Sequence, residues 1–118
     1  MKKFLAIYIG SLSAREKAEH KATDEDKQRN QRGMEAWGNW VMTHANSIVD
    51  HGSPVGKTKR ASPEGIADTE NRIVAYTIVQ AESHEAATRM FADHPHFSIF
   101  PGDSVEIMEC LPIPDPTQ

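Results

Sequence analysis

Six histidines occur in this chain of 118 residues, and two of them are spaced to act together. Pro95 stands between His94 and His96. Proline disfavours helix at the residue before it, so His94 is extended, and residues two apart in an extended chain face the same way. The two imidazoles can therefore converge on one ligand, one proton or one metal ion. Imidazole changes charge near cellular pH, which suits a general acid–base. A tetrahedral metal site needs further ligands, and the chain offers neither a cysteine pair nor a His-Glu-x-x-His pattern. No metal and no cofactor is expected. The plainer reading makes both residues hydrogen-bonded loop histidines.

A second group lies on a helical pattern. At about 100° per residue, Trp37, Val41, His44 and Ile48 fall on one stripe, with Met34 and Trp40 at its margins. Such a stripe is ordinarily a core face, with His44 hydrogen-bonded inside. The sharper reading makes Trp37, Trp40 and His44, with Tyr8, the walls of a ligand pocket between helix and sheet. Pockets of that kind are largely apolar with a few convergent polar groups. The other histidines read more simply. His20 is solvated in a charged loop, His84 opens a helix, and His51 precedes a glycine that would cap one. Asp50 and Asp93 stand at predicted helix C-termini, against the dipole preference. No phosphate-binding loop, dinucleotide fingerprint, nucleophile elbow or internal repeat is present.

These residues must be carried by elements, and the chain predicts six. Residues 3–10 form an apolar, β-branched and aromatic first strand ending at Gly10. Residues 11–23 are polar without periodicity and read as a surface loop, more disordered than ordered. Thr23 and Asp26 make an imperfect capping box for a helix reaching about Asp50, weakened by Gly33 and Gly38 at ~1 kcal/mol each. Gly52 stands where a left-handed cap belongs, with Pro54 beyond. Residues 55–62, with Lys57, Lys59 and Arg60, read as a second strand, followed by a turn at 63–69. Residues 72–80 are the third strand. Ser83 caps a second helix whose stripe is Ala86, Ala87, Met90 and Phe91, ending near Asp93. Residues 104–111 are the fourth strand, and the 112–118 tail, with three prolines, is extended.

The order βαββαβ predicts an α+β, ferredoxin-like fold: one domain over residues 1–118, with a four-stranded antiparallel sheet and both helices on one face. Strand order 4-1-3-2 leaves the lysine-rich second strand at an edge, where charge discourages aggregation. The central strands carry apolar residues on both faces: Phe4, Ala6 and Tyr8 against Leu5, Ile7 and Ile9, then Val74, Tyr76 and Ile78 against Ile73, Ala75 and Val79. Helices cover one face only, and a solvated second face would be polar. A second copy of the chain is the simplest cover, so a homodimer through the sheet face opposite the helices is expected.

Composition narrows the function. A net charge of −4 and pI near 5.8 argue against a nucleic-acid partner. No apolar run reaches the ~20 residues that span a bilayer, and the 4–9 run is too short for a signal peptide, so no membrane partner is expected. One cysteine, Cys110, fits a reducing cytoplasm.

An ordered set of segments resembles the YCII-related (DGPF-type) domain family. They are Lys2-Lys3-Phe4-Leu5-Ala6-Ile7-Tyr8, Ala36-Trp37-Gly38-Asn39-Trp40, Val49-Asp50-His51-Gly52-Ser53-Pro54-Val55-Gly56, Ala75-Tyr76-Thr77-Ile78-Val79-Gln80-Ala81-Glu82-Ser83, Asp93-His94-Pro95-His96 and Gly102-Asp103-Ser104-Val105-Glu106-Ile107. The resemblance implies a dimeric α/β barrel. It also implies enzymatic members, dehydrochlorinase-like ones among them, that use a first-helix histidine and a nearby aspartate. Here Trp37 stands near the position of that histidine, so the dyad does not carry over. The segment at Asp93–His96 matches an Asp-Pro-Tyr-like segment close to the family's pocket. Two functions follow as expectations. One is a small-molecule lyase or isomerase using His94 or His96 as general acid–base; the other is a ligand-binding or accessory dimer without catalysis.

Overall fold

A computed structural model describes residues 1–115; the end of the predicted 112–118 tail lies outside the described residues. Its sheet has four antiparallel strands in the order β2-β5-β1-β6, where β1 is Lys2–Gly10, β2 is Ile48–Pro54, β5 is Ile73–Ala81 and β6 is Gly102–Glu109. The predicted first and third strands are thus the central pair and the expected α+β class holds, but the edge beside β5 is taken by Ile48–Pro54 instead of residues 55–62. The remaining strands, β3 (Thr58–Ser62) and β4 (Gly65–Thr69), form a separate hairpin.

Among the described residues there are four α-helices: α1 (Ala14–Glu19), α2 (Asp24–Thr43), α3 (His84–Arg89) and α4 (Pro95–Ser98). The capping boxes explain the first two. Thr23 and Asp26 exchange side-chain and backbone hydrogen bonds, as the sequence predicts. Ser13 and Glu16 do the same for α1. That helix corrects the 11–23 loop, because the box supplies local order to a segment whose helix buries nothing. Ser83 caps α3 by accepting from the Ala86 N–H.

The second strand is also corrected. The first long helix stops at Thr43, not near Asp50, and a 3-10 turn at Ala45–Ser47 leads into β2. Ile48 and Asp50 pair with Val79 and Ile78, and long-range pairing outweighs the short continuation of a helical pattern. Gly52 does take a left-handed conformation, with φ of 68°, but inside β2 and against the Tyr76 carbonyl, where any Cβ would overlap. The lysine-rich segment at Thr58–Ser62 is one arm of the hairpin rather than a sheet edge.

Packing follows the alternation of β1. Phe4, Ala6 and Tyr8 are fully buried beneath the helices, with Val79, Ala87, Phe91 and Trp40 around them. Leu5, Ile7 and Ile9 line the opposite face and are only partly covered. Register sets Leu5 beside Ile78 and Met108, and Ile7 beside Tyr76 and Glu106. The face away from the helices is therefore apolar along its centre, with Asp50 and Glu106 on its edge strands. The chain is flat, 58 × 43 × 18 Å, and its 16.4 Å radius of gyration exceeds the roughly 13.5 Å of a compact domain of this length.

Candidate functional site

Three elements converge on His94. Tyr8 rises from the helix-covered face of β1, Trp37 and Trp40 descend from α2, and Phe91 follows α3. Ring centroids lie 5.1 Å away for Tyr8, 4.5 Å for Trp37, 4.7 Å for Trp40 and 5.7 Å for Phe91. His94 itself is fully buried. Trp40 is anchored, its indole Nε1–H donating to the Met90 carbonyl at 2.8 Å. Trp37 is partly exposed and has no hydrogen-bonded anchor. On α2 the face toward the sheet runs Gly33, Trp37, Trp40 and His44, whereas Met34 is 67% exposed. The predicted stripe is thus rotated so that Trp40 lies inside it and Met34 leaves it.

Local backbone geometry aims His94. Asp93 adopts a positive φ of 59°, uncommon for a residue with a side chain, and turns the chain after α3. His94 then becomes the N-cap of α4, with Pro95 at the first helical position. Its Nδ1 accepts the His96 backbone N–H at 3.0 Å. A neutral imidazole accepting through Nδ1 carries its proton on Nε2. That Nε2 is buried and has no hydrogen-bond partner among the described residues. Burial holds the His94 pKa down at about 3, helped by the neighbouring His96 and His44 rings. A histidine titrating near neutrality, expected from the sequence, is not what this position provides.

His96 points elsewhere. Its Nε2–H donates to the Ile9 carbonyl at 2.7 Å, and it is 5% exposed. Burial lowers its pKa, while the Ile9 and Ser104 carbonyls oppose the shift. Gly102 lies so close to the His96 ring and carbonyl that any side chain there would overlap them. The sequence expects the two imidazoles to converge on one ligand; here His94 is bonded through Nδ1 to the His96 backbone and His96 through Nε2 to the Ile9 carbonyl. Tyr8 is also held neutral, its pKa pushed up to about 12 by burial against the opposing bond to Thr77. Its hydroxyl lies 3.1 Å from the Thr77 hydroxyl, which donates to the His51 carbonyl.

The remaining expected residue, His44, caps the C-terminal end of α2 and lies 4.8 Å from Trp40, centroid to centroid. Asp50 is exposed on β2 and accepts the Gly52 N–H at 2.8 Å, away from His94. Among the described residues, no group of three or more His, Cys, Asp or Glu side chains is arranged to hold a metal. Phe91 is the wall that the sequence does not single out for the site; its place in the second helix's apolar stripe is the signal that could have found it.

The chain matches no protein-family profile and no curated protein in sequence. Among solved structures it is similar to 5-chloro-2-hydroxyhydroquinone dehydrochlorinase (TftG) from Burkholderia phenoliruptrix AC1100, in complex with 2,5-dihydroxybenzoquinone. The TM-score is 0.50 and the identity 14%, over 89% of each chain. That neighbour has the dimeric α/β-barrel fold, and at this identity the likeness is one of fold.

Proposed function

We propose that this chain is a small-molecule enzyme, a lyase or isomerase, whose reaction centre is the His94 box. The observation that carries the reading is the buried Nε2–H of His94, a donor without an acceptor among Tyr8, Trp37, Trp40 and Phe91. An unsatisfied buried donor costs about 1–3 kcal/mol and is relieved by an acceptor in its place. A neutral imidazole is suited to polarise a substrate carbonyl while another group moves the proton. His94 then acts as a hydrogen-bond donor instead of a cationic acid, and His96 positions it through the backbone N–H on Nδ1. His44, partly exposed against Trp40, is the group with access to both solvent and the box wall.

The working unit in this reading is a cytoplasmic homodimer closed through the apolar sheet face that carries Leu5, Ile7 and Ile78. Binding without turnover is the second reading, favoured by the low pKa of His94, which keeps the ring from serving as a cationic acid at neutral pH. A metabolite library screened by thermal shift, with mass spectrometry of each hit, separates the two. Chemical change that His94→Ala abolishes supports the enzyme; saturable stabilisation with the hit recovered intact supports binding alone. Turnover unchanged in both His94→Ala and His96→Ala overturns the assignment of the site.

A further inference from the structure

We infer that the His94 box selects a planar, uncharged carbonyl compound, which enters by displacing the Trp37 indole. This rests on the reading of that box as the ligand site. The polarity of the walls comes first. Tyr8, Trp37, Trp40 and Phe91 present ring faces and edges to His94, and the nearby charges of Lys17 and Asp103 act on His96 rather than on His94. An ionised ligand would lose its hydration there without a counter-charge, which disfavours it strongly in a protein interior. Flat walls favour a flat ligand, because offset and edge-on ring contacts keep centroids 4.5–7 Å apart.

The required functional group follows from the tautomer. The His96 backbone N–H occupies Nδ1, so His94 has only a donor left to offer. A ketone or aldehyde oxygen accepts such a bond; a protonated amine or an alkane does not. The donor is already orphaned in the free chain, so an acceptor gains a hydrogen bond without displacing another.

Entry is assigned to Trp37 by contrast with its neighbour. Trp40 is 9% exposed and tied to the Met90 carbonyl. Trp37 is partly exposed, edge-on to His94 at an interplanar angle of 88°, and its side chain has no hydrogen bond among the described residues. It is followed by Gly38, around which a Cβ would meet nothing within 4 Å. Outward rotation of Trp37 would vacate the place its ring holds, 4.5 Å from the His94 ring centroid to centroid.

Three probes and one spectrum test this. The full chain, labelled with ¹⁵N, is titrated with acetophenone, with α-methylstyrene (a CH2 group in place of the ketone oxygen) and with benzoate, following the indole and imidazole N–H resonances. Acetophenone is expected to shift the Trp37 indole and the His94 Nε2–H, with α-methylstyrene at least tenfold weaker and benzoate inactive. His94→Gln, which keeps a donor, is expected to retain the ketone preference, and His94→Leu to lose it. Equal affinity for acetophenone and α-methylstyrene, with the His94 proton unmoved, overturns the carbonyl assignment and leaves the pocket standing. Tight binding of benzoate overturns the neutral-ligand assignment. Movement of Trp40 in place of Trp37 overturns the entry route. Indole resonances unchanged by every probe at millimolar concentration overturn the box as a ligand site altogether.

Discussion

The backbone N–H of His96 lies 3.0 Å from Nδ1 of His94, so one histidine fixes the tautomer of the other across a single proline. The same contact caps α4, which places the imidazole at the join between helix and sheet. Structure and chemistry are inseparable here, because the bond that starts the helix decides which nitrogen faces the aromatic rings.

Burial of these two rings makes stability depend on pH in a specific window. His94 is lowered from 6.5 to about 3, and His96 is lowered as well, with desolvation the leading cause of both. The unfolded chain therefore binds more protons than the folded one below pH 6.5, and stability rises with pH there. The contribution is fully present above 6.5 and is lost as pH falls toward 3. Asp26, pulled down to about 2 chiefly by the Thr23 backbone N–H, adds acid sensitivity only within the carboxylate range. Melting measured from pH 7 to pH 5 should drop by at least about 4 °C, the effect of roughly 1 kcal/mol in a small domain. The slope should flatten in His94→Gln, and a flat wild-type profile contradicts the buried neutral ring.

Much of this arrangement is legible in the sequence wherever one periodicity dominates. Residues of β1 alternate cleanly, so the alternation alone assigns Phe4, Ala6 and Tyr8 to one face. Ile48 is ambiguous: it lies four residues after His44 and so continues the α2 stripe, yet it is β-branched and pairs with Val79. Only the partner strand settles such a case. The α1 helix has its signal in Ser13 and Glu16, masked by a segment with no apolar face. The His94 orphan is not legible at all, since it depends on which backbone N–H reaches the other ring nitrogen.

Two glycines of α2 should respond oppositely to alanine. A Cβ on Gly38 meets nothing within 4 Å, whereas on Gly33 it would overlap the Phe100 ring. Alanine in a helix interior is favoured over glycine by up to ~1 kcal/mol where space allows. Gly38→Ala should therefore stabilise the chain by about 0.5–1 kcal/mol in urea unfolding, and Gly33→Ala should destabilise it by about 1–3 kcal/mol through overpacking. Equal effects would contradict the packing of Phe100 on α2.

The tryptophans should separate in the same assay. Trp40→Phe removes the bond to the Met90 carbonyl and leaves a void in a buried position, a loss of about 2–3 kcal/mol. Trp37→Phe removes no hydrogen bond and alters a partly exposed wall, for about 1 kcal/mol or less. If the two substitutions cost the same, Trp37 is held as firmly as Trp40 and is no entry to the box.

The sheet face turned away from the helices carries the last prediction. Leu5, Ile7, Ile9, Tyr76 and Ile78 lie on or beside its centre, partly exposed in a single chain. Each buried apolar Å² is worth about 25 cal/mol, so several such side chains covered by a second copy contribute several kcal/mol per subunit. Sedimentation at micromolar concentration should therefore give twice the 13.1 kDa chain mass. Ile7 stands opposite Glu106 on β6, so Ile7→Asp sets a second carboxylate beside the first and removes apolar contact at the centre of the face. That variant should sediment as a monomer. Circular dichroism must still show the folded sheet, because Ile7 points away from the Tyr8 core. A wild-type chain that sediments as a monomer overturns the dimer, and so does an Ile7→Asp variant that stays dimeric, since its interface would then lie elsewhere.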